Sequence, residues 1–209
     1  MNLSIAKLKR NSIDFLCPIV GVPQYEITSS REYKYTWFRV AKTGTRTLLS
    51  ILLKESNPDI NGLRYPYFRQ YHKSHFKFTM IRNPWDRIVS CYKEKVLEKN
   101  MFPDCWGKDF EYFVKYISAQ NLDNCDEHII RQIKLFPLND IDYIGRFENF
   151  NSDYNFIFNQ RLGFKSELVH RNKSINRTHY TEFYTNVSRR IISEIYREDI
   201  EVGGYVFGL

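Results

Sequence analysis

Residues 33–55, YKYTWFRVAKTGTRTLLSILLKE, hold a strand, a turn and a helix in succession. Tyr33 to Val40 is rich in aromatic and β-branched residues and reads as a strand. From about Thr47 to Lys54, the residues Leu48, Leu49, Ile51, Leu52 and Leu53 read as a buried helix. Between them lies Ala41-Lys42-Thr43-Gly44-Thr45-Arg46. A turn that feeds a helix N-terminus offers unpaired backbone N–H groups and the positive dipole end to an anion. Lys42 and the neighbouring hydroxyls add charge and donors, as in a phosphate-binding loop. The turn is not a Walker A loop, because the lysine precedes the glycine and G-x-x-x-x-G-K-[ST] is absent. Standing alone, such a corner with a solvated lysine would be ordinary.

A second strand–turn–helix unit follows. Phe76 to Ile81 reads as a short apolar strand. In the turn Arg82-Asn83-Pro84-Trp85-Asp86, Asn83 is the expected N-cap and Pro84 the first helical residue. The helix is expected to run to about Lys99, with Trp85, Ile88, Val89, Tyr92 and Val96 on one face. If the two strands are parallel, Arg82 points to the same sheet edge as the Lys42 turn. Open parallel sheets bind ligands at the carboxyl ends of their strands, so two basic strand ends suggest an anion with two charged groups. A plain Arg82–Asp86 ion pair accounts for Arg82 equally well.

The composition agrees with this reading. The chain has 209 residues, enough for a substantial core in one domain spanning 1–209. A hydrophobic fraction of 43% argues against disorder. Residues 1–100 hold 18 Lys and Arg against 8 Asp and Glu, a balance of +10, whereas residues 101–209 balance at −3. The basic half contains the candidate anion loop. No nucleic-acid-binding signature accompanies the charge, so no nucleic-acid partner is expected. The four cysteines, Cys17, Cys91, Cys105 and Cys125, are scattered and form no C-x-x-C pair, which argues against a disulfide framework and a zinc site. No run of 18 apolar residues occurs, so the expectation is a reduced, cytoplasmic chain without a transmembrane segment.

Along the rest of the chain, residues 1–32 read as an irregular lead-in with at most one short strand. Asn57 to Ser74 reads as a loop with a short helix near Tyr67 to Tyr71. Helices are expected at Asp109 to Tyr116, behind a capping Asp126 with Ile129, Ile130 and Ile133, from Ser152 to Leu162 with Gly163 as its stop, and from an Asn186 cap to about Glu201. Ile141 to Ile144 reads as a third strand ending in Gly145-Arg146, and Gly203 to Phe207 as extended. Alternating strands and helices predict a three-layer α/β domain with a mainly parallel sheet.

WFRVAKTGTRTLLS followed by FKFTMIRNPWDRIVSCYKEKV resembles the two cofactor motifs of the carbohydrate sulfotransferases, and DFEYFVKYI, DEHIIRQ, IDYIGRFENF, HRNKSINRTHYTEFYT and EIYREDIEVGGYVF are similar to later blocks of the bacterial, anchor-free members. The resemblance implies a P-loop-like fold and a metal-free transfer of a sulfuryl group from 3′-phosphoadenosine 5′-phosphosulfate (PAPS) to a saccharide or glycolipid hydroxyl. It assigns Lys42, Thr43, Gly44, Thr45, Arg46 and Thr47 to the 5′-phosphosulfate, and Arg82 and Ser90 to the 3′-phosphate. It also places His170, Asn172, Lys173 and Ser174 near the adenosine. His128, in DEHIIRQ, is the first candidate for the base or acceptor contact, and His72 the second. Arg146 and Glu148 are expected to serve the fold. Acceptor specificity is expected in Asn57 to Ser74 and Met101 to Cys125, with Tyr65, Tyr67, Tyr71 and Trp106 as candidate stacking platforms. Two other classes compete: a degenerate P-loop kinase or NTPase, which lacks the Walker glycines, and a non-catalytic polyanion-binding module, which lacks a continuous basic stripe.

Overall fold

A computed structural model of the chain describes residues 21–165 and 178–209. Five strands form one sheet: β1 (Gln24–Ser30), β2 (Tyr35–Phe38), β3 (Ile60–Pro66), β4 (Phe76–Ile81) and β5 (Tyr143–Arg146), in the spatial order β3-β1-β2-β4-β5. The expected mainly parallel sheet is corrected to a mixed one, with two parallel and two antiparallel pairs among the described residues. The pairs β2–β4 and β4–β5 are parallel, with Trp37 opposite Phe78 and Ile81 opposite Arg146. The pairs β1–β2 and β1–β3 are antiparallel. The reason is connection length: β1 and β2 are joined by a tight turn at residues 31–34, and only antiparallel strands can be linked so closely.

The edge strand β3 lies where a loop was expected. Its Gly62 and its terminal Pro66 read locally as turn residues, yet an edge strand tolerates both because only one side must pair. Its backbone pairs with β1 from Ile60–Ser29 to Pro66–Gln24.

The helices are α1 (Thr45–Ser56), α2 (Pro84–Cys91), α3 (Phe110–Ser118), α4 (Phe150–Tyr154), α5 (Asn186–Ile195) and α6 (Arg197–Gly203). Two of them continue with π-helical hydrogen bonding, α2 through Tyr92–Glu98 and α4 through Asn155–Arg161. The α2 start is as expected: the Asn83 side chain accepts from the Trp85 and Asp86 backbones, and Pro84 opens the helix. Asp109 likewise caps α3.

Three local expectations fail for tertiary reasons. Asp126 heads only a turn, because the backbone N–H groups of Gln132 and Ile133 donate to the buried Asp199 carboxylate at 2.8 and 3.0 Å. Thr185, not Asn186, caps α5, and the helix breaks at Tyr196, whose buried hydroxyl reaches the Ile129 carbonyl. After α6 the chain turns at the left-handed Gly204 and forms no strand.

Alternation along the strands splits the core. Tyr35, Trp37, Phe78 and Met80 pack on one face with Leu48 and Leu52 of α1 and Tyr154, Ile157 and Phe158 of the α4 segment. Ile27, Phe38 and Ile81 pack on the other with Tyr67 and Phe136. A separate cluster joins α2, α3 and α5 through Ile88, Phe113 and Ile192. Burying side chains of this size contributes about 1.5–3 kcal/mol each, which holds the strand ends in place. The carboxyl ends of β2, β4 and β5 therefore meet at one sheet edge.

Candidate active site

That edge carries the Ala41–Gly44 turn. Gly44 is the N-cap of α1, with φ of 81°, and has no side chain to satisfy the first-turn N–H groups. A Cβ there would lie 2.6 Å from the Phe150 ring, so the glycine permits both the turn and the contact with α4. Lys42 also has a positive φ, 75°. The Thr43 and Thr45 hydroxyls both donate to the Val40 carbonyl, at 2.8 and 2.9 Å, and brace the turn from within. Thr43 is fully buried, whereas Thr45 and Thr47 are partly exposed and Arg46 is exposed.

The Lys42 ammonium is mostly buried and donates to the Glu94 carboxylate. Burial pushes its pKa down, and Glu94 offsets part of that. Glu94 also accepts from Arg46 at 3.0 Å and from Lys99 at 2.5 Å, with Lys95 at 3.7 Å. Burial alone would push the Glu94 carboxyl up. The hydrogen bonds from Lys42 and Lys99 and the charges of Lys42 and Lys95 outweigh it and hold the carboxyl well below the usual carboxylate range.

Arg82 leaves the end of β4 and is almost fully buried. Its Nε and Nη2 donate to the Asp86 carboxylate at 2.9 and 2.7 Å, its Nη1 to the Lys42 carbonyl at 3.0 Å, and its guanidinium lies 4.3 Å over the Phe147 ring. The Arg82–Asp86 pair that the sequence left open is thus present, and Arg82 also ties together the ends of β2, β4 and β5. Ser90 lies two turns into α2 and is partly exposed.

Arg87 is fully buried and spends its guanidinium on three carbonyls: Ala41 at 3.2 Å, Ile130 at 2.9 Å and Glu127 at 2.9 Å. It thereby docks the 126–130 turn against the start of the Lys42 turn. Gln132 adds a reciprocal pair with the Arg82 backbone, 2.9 Å each way. His128 sits on this docked turn, where the Asp126 carboxylate accepts from its backbone at 2.9 Å and lies 2.8 Å from its Nδ1. The hydrogen bond to His128 holds the Asp126 carboxyl below its ordinary value.

His72 is placed elsewhere. It is buried on the sheet face near the start of β2, with Nδ1 2.9 Å from the Thr36 hydroxyl and its ring stacked on Tyr67. Burial, then the charges of His75 and Lys77, push its pKa down to about 4. The structure does not bring His72 to the Lys42 turn, which lies at the opposite end of β2.

His170, Asn172, Lys173 and Ser174 fall outside the described residues. Of the expected stacking aromatics, Tyr67 is buried with its hydroxyl donating to Asp140 at 2.5 Å, and Tyr65 packs against the same core. Tyr71 and Trp106 are exposed. Glu148 accepts from the Asn83 backbone at 2.7 Å and from the Tyr205 hydroxyl at 3.1 Å, a bracing position.

Sequence reasoning missed Arg87, Glu94 and Lys99. Arg87 and Glu94 share a helix face with Ser90, at i−3 and i+4, and that spacing was the available signal.

No helix among the described residues is long and apolar enough to cross a membrane. No solved structure matches the chain. Carbohydrate sulfotransferase 10 of Rattus norvegicus is 25% identical to it, with 64% of this chain and 48% of that protein covered. The chain thus spans about half the length of that relative. Residues 25–206 match the Sulfotransferase family. A match over this much of the chain, on a mixed α/β sheet with a basic turn at the end of β2, shows that the chain belongs to the sulfotransferase family.

Proposed function

We propose that this chain transfers a sulfuryl group from PAPS to a hydroxyl of a carbohydrate or glycolipid, on a P-loop-like three-layer scaffold in a reduced, cytoplasmic setting. The observation that carries the reading is the Lys42 turn. It presents an ammonium, an adjacent guanidinium and the uncapped start of α1 at the sheet edge where β2, β4 and β5 end. That donor set suits a phosphosulfate, and PAPS supplies an activated sulfuryl group on a good leaving phosphate.

The reaction is an in-line displacement, so the protein's work is positioning and charge stabilisation. Lys42 and the first-turn N–H groups of α1 neutralise the charge that builds on the leaving oxygen. One well-placed donor of this kind contributes roughly 2–4 kcal/mol. Arg82 and Ser90 serve the 3′-phosphate, with Arg82 giving up part of its contact with Asp86, and Lys173 and Ser174 serve the adenosine end.

His128 takes the acceptor's proton. With Nδ1–H donating to Asp126, its Nε2 carries the lone pair that a base needs. The exposed Trp106 is the aromatic suited to stacking on a sugar face, whereas Tyr71, next to His72, belongs to the opposite end of β2.

Titration calorimetry with adenosine 3′,5′-bisphosphate, AMP and ATP tests the reading. The bisphosphate should bind at least ~10-fold more tightly than AMP, and without magnesium. Equal affinity for the two would remove the 3′-phosphate site from the reading, and magnesium-dependent ATP binding would replace the reading with a kinase or NTPase.

A further inference from the structure

Glu94 is the one carboxylate among the described residues that joins the Lys42 turn to the π-helical continuation of α2. Its Oε2 faces Lys42, and its Oε1 faces Arg46, Lys95 and Lys99. The four cations fall into two groups. Lys42 and Arg46 belong to the anion loop, whereas Lys95 and Lys99 belong to the same segment as Glu94. A carboxylate seated on the loop's cations occupies the place that an external anion must take. A π-helical stretch inside an α-helix re-aims side chains and is a frequent mark of functional positions.

We propose that Glu94 is a tethered competitor for the donor's anionic group, so that ligand binding is an exchange in which Lys42 and Arg46 pass from Glu94 to the ligand while Lys95 and Lys99 retain the carboxylate. This rests on the reading of the Lys42 turn as the site of an anionic donor, and deepens it into a rule of selectivity. The exchange leaves no stranded charge, because Glu94 keeps two of its four cations.

A tethered group acts at an effective concentration in the millimolar range or above. When it fills the site most of the time, every ligand using Lys42 and Arg46 loses affinity by the same factor, the inverse of the open fraction. A ligand held by those cations alone, such as inorganic pyrophosphate, then falls below useful affinity. A nucleotide with further contacts at a second phosphate and a base survives the same loss. Glu94 thus rejects small inorganic anions without excluding the donor.

Titration calorimetry of the wild type and of Glu94→Gln, at one ionic strength, uses two probes: inorganic pyrophosphate and adenosine 3′,5′-bisphosphate. Both should bind the variant ~10-fold or more tightly, which corresponds to a site closed in about nine molecules of ten. Thermal melting accompanies the titrations, and Glu94→Asp, which retracts the carboxylate by one methylene, carries the same comparison if the glutamine variant is too unstable. Pyrophosphate affinity unchanged or weakened in the variant overturns the proposal, because a merely structural Glu94 predicts that result. Tighter pyrophosphate with no binding of the nucleotide to either protein upholds the Glu94 exchange and removes the sulfotransfer reading. A nucleotide bound by the wild type and no better by the variant upholds the sulfotransfer reading and removes the exchange.

Discussion

The Arg87 Nε donates to the Ala41 carbonyl at 3.2 Å, so a residue of α2 holds the chain at the point where β2 becomes the Lys42 turn. The same guanidinium holds the Glu127 and Ile130 carbonyls, which makes it the connection between the turn and the His128 segment.

Replacing Arg87 by Met should leave the buried Ile130 carbonyl and the partly buried Ala41 and Glu127 carbonyls without their donor and cost about 3 kcal/mol of stability, since each fully buried orphaned group costs ~1–3 kcal/mol before relaxation. Turnover should fall further than bisphosphate affinity, because His128 moves while the Lys42 turn keeps its internal bonds to Val40. Denaturant melts and paired binding and rate measurements check this. Equal losses in binding and rate would mean that Arg87 only supports the fold.

Gly44→Ala should destabilise the protein by about 1–3 kcal/mol, through the positive φ and the contact with Phe150. The double variant with Phe150→Leu should recover only part of this, because the backbone strain persists. Full recovery in a thermal melt would show that the ring contact alone accounts for the glycine.

Lys42→Ala should lower turnover by at least ~10²-fold with the fold intact, as expected for loss of one leaving-group donor. Circular dichroism and single-turnover rates are sufficient to see it, and near-normal turnover would make the turn structural.

The two histidines should separate cleanly. His128→Gln removes the proton acceptor and should cut turnover by ~10²–10⁴-fold while bisphosphate affinity stays within a few-fold. His72→Gln, at the far end of β2, should leave turnover unchanged. The reverse pattern would exchange their roles.

His72 should instead appear in stability. Its folded pKa is about 4, below its ordinary value, so the unfolded chain binds more protons between about pH 4 and 6.5. Stability from this group is complete above about pH 6.5 and is lost as pH falls towards 4, by about 3 kcal/mol in all. His75, also depressed by burial and 2.9 Å from the shared Thr36 hydroxyl, acts in the same direction. Melting temperature against pH should flatten in His72→Gln, and an unchanged slope would rule this out. Glu94, with its depressed pKa, loses its contribution only below the ordinary carboxylate range and so falls outside this window.

The sequence by itself determined what depends on neighbours a few residues apart. The strand–turn–helix units at Tyr35–Ser56 and Phe76–Cys91 were legible, as were the Asn83 cap with Pro84 and the Asp109 cap, because β-propensity, helical periodicity and capping are local. The Lys42 turn and Arg82 could be named as candidates for the same reason. Tertiary structure decided the rest. β3 became a strand because β1 offered an edge, although Gly62 and Pro66 argue locally for a turn. The helix expected after Asp126 gave way because Asp199, more than 60 residues on, takes the N–H groups it needed. Which end of the sheet each connection reached set His128 on the turn that Arg87 ties to Ala41 and left His72 at the opposite end of β2. Glu94 met Lys42 across 52 positions in sequence, a pairing of charges that no local pattern encodes and only the packing of α2 beside the end of β2 brings about.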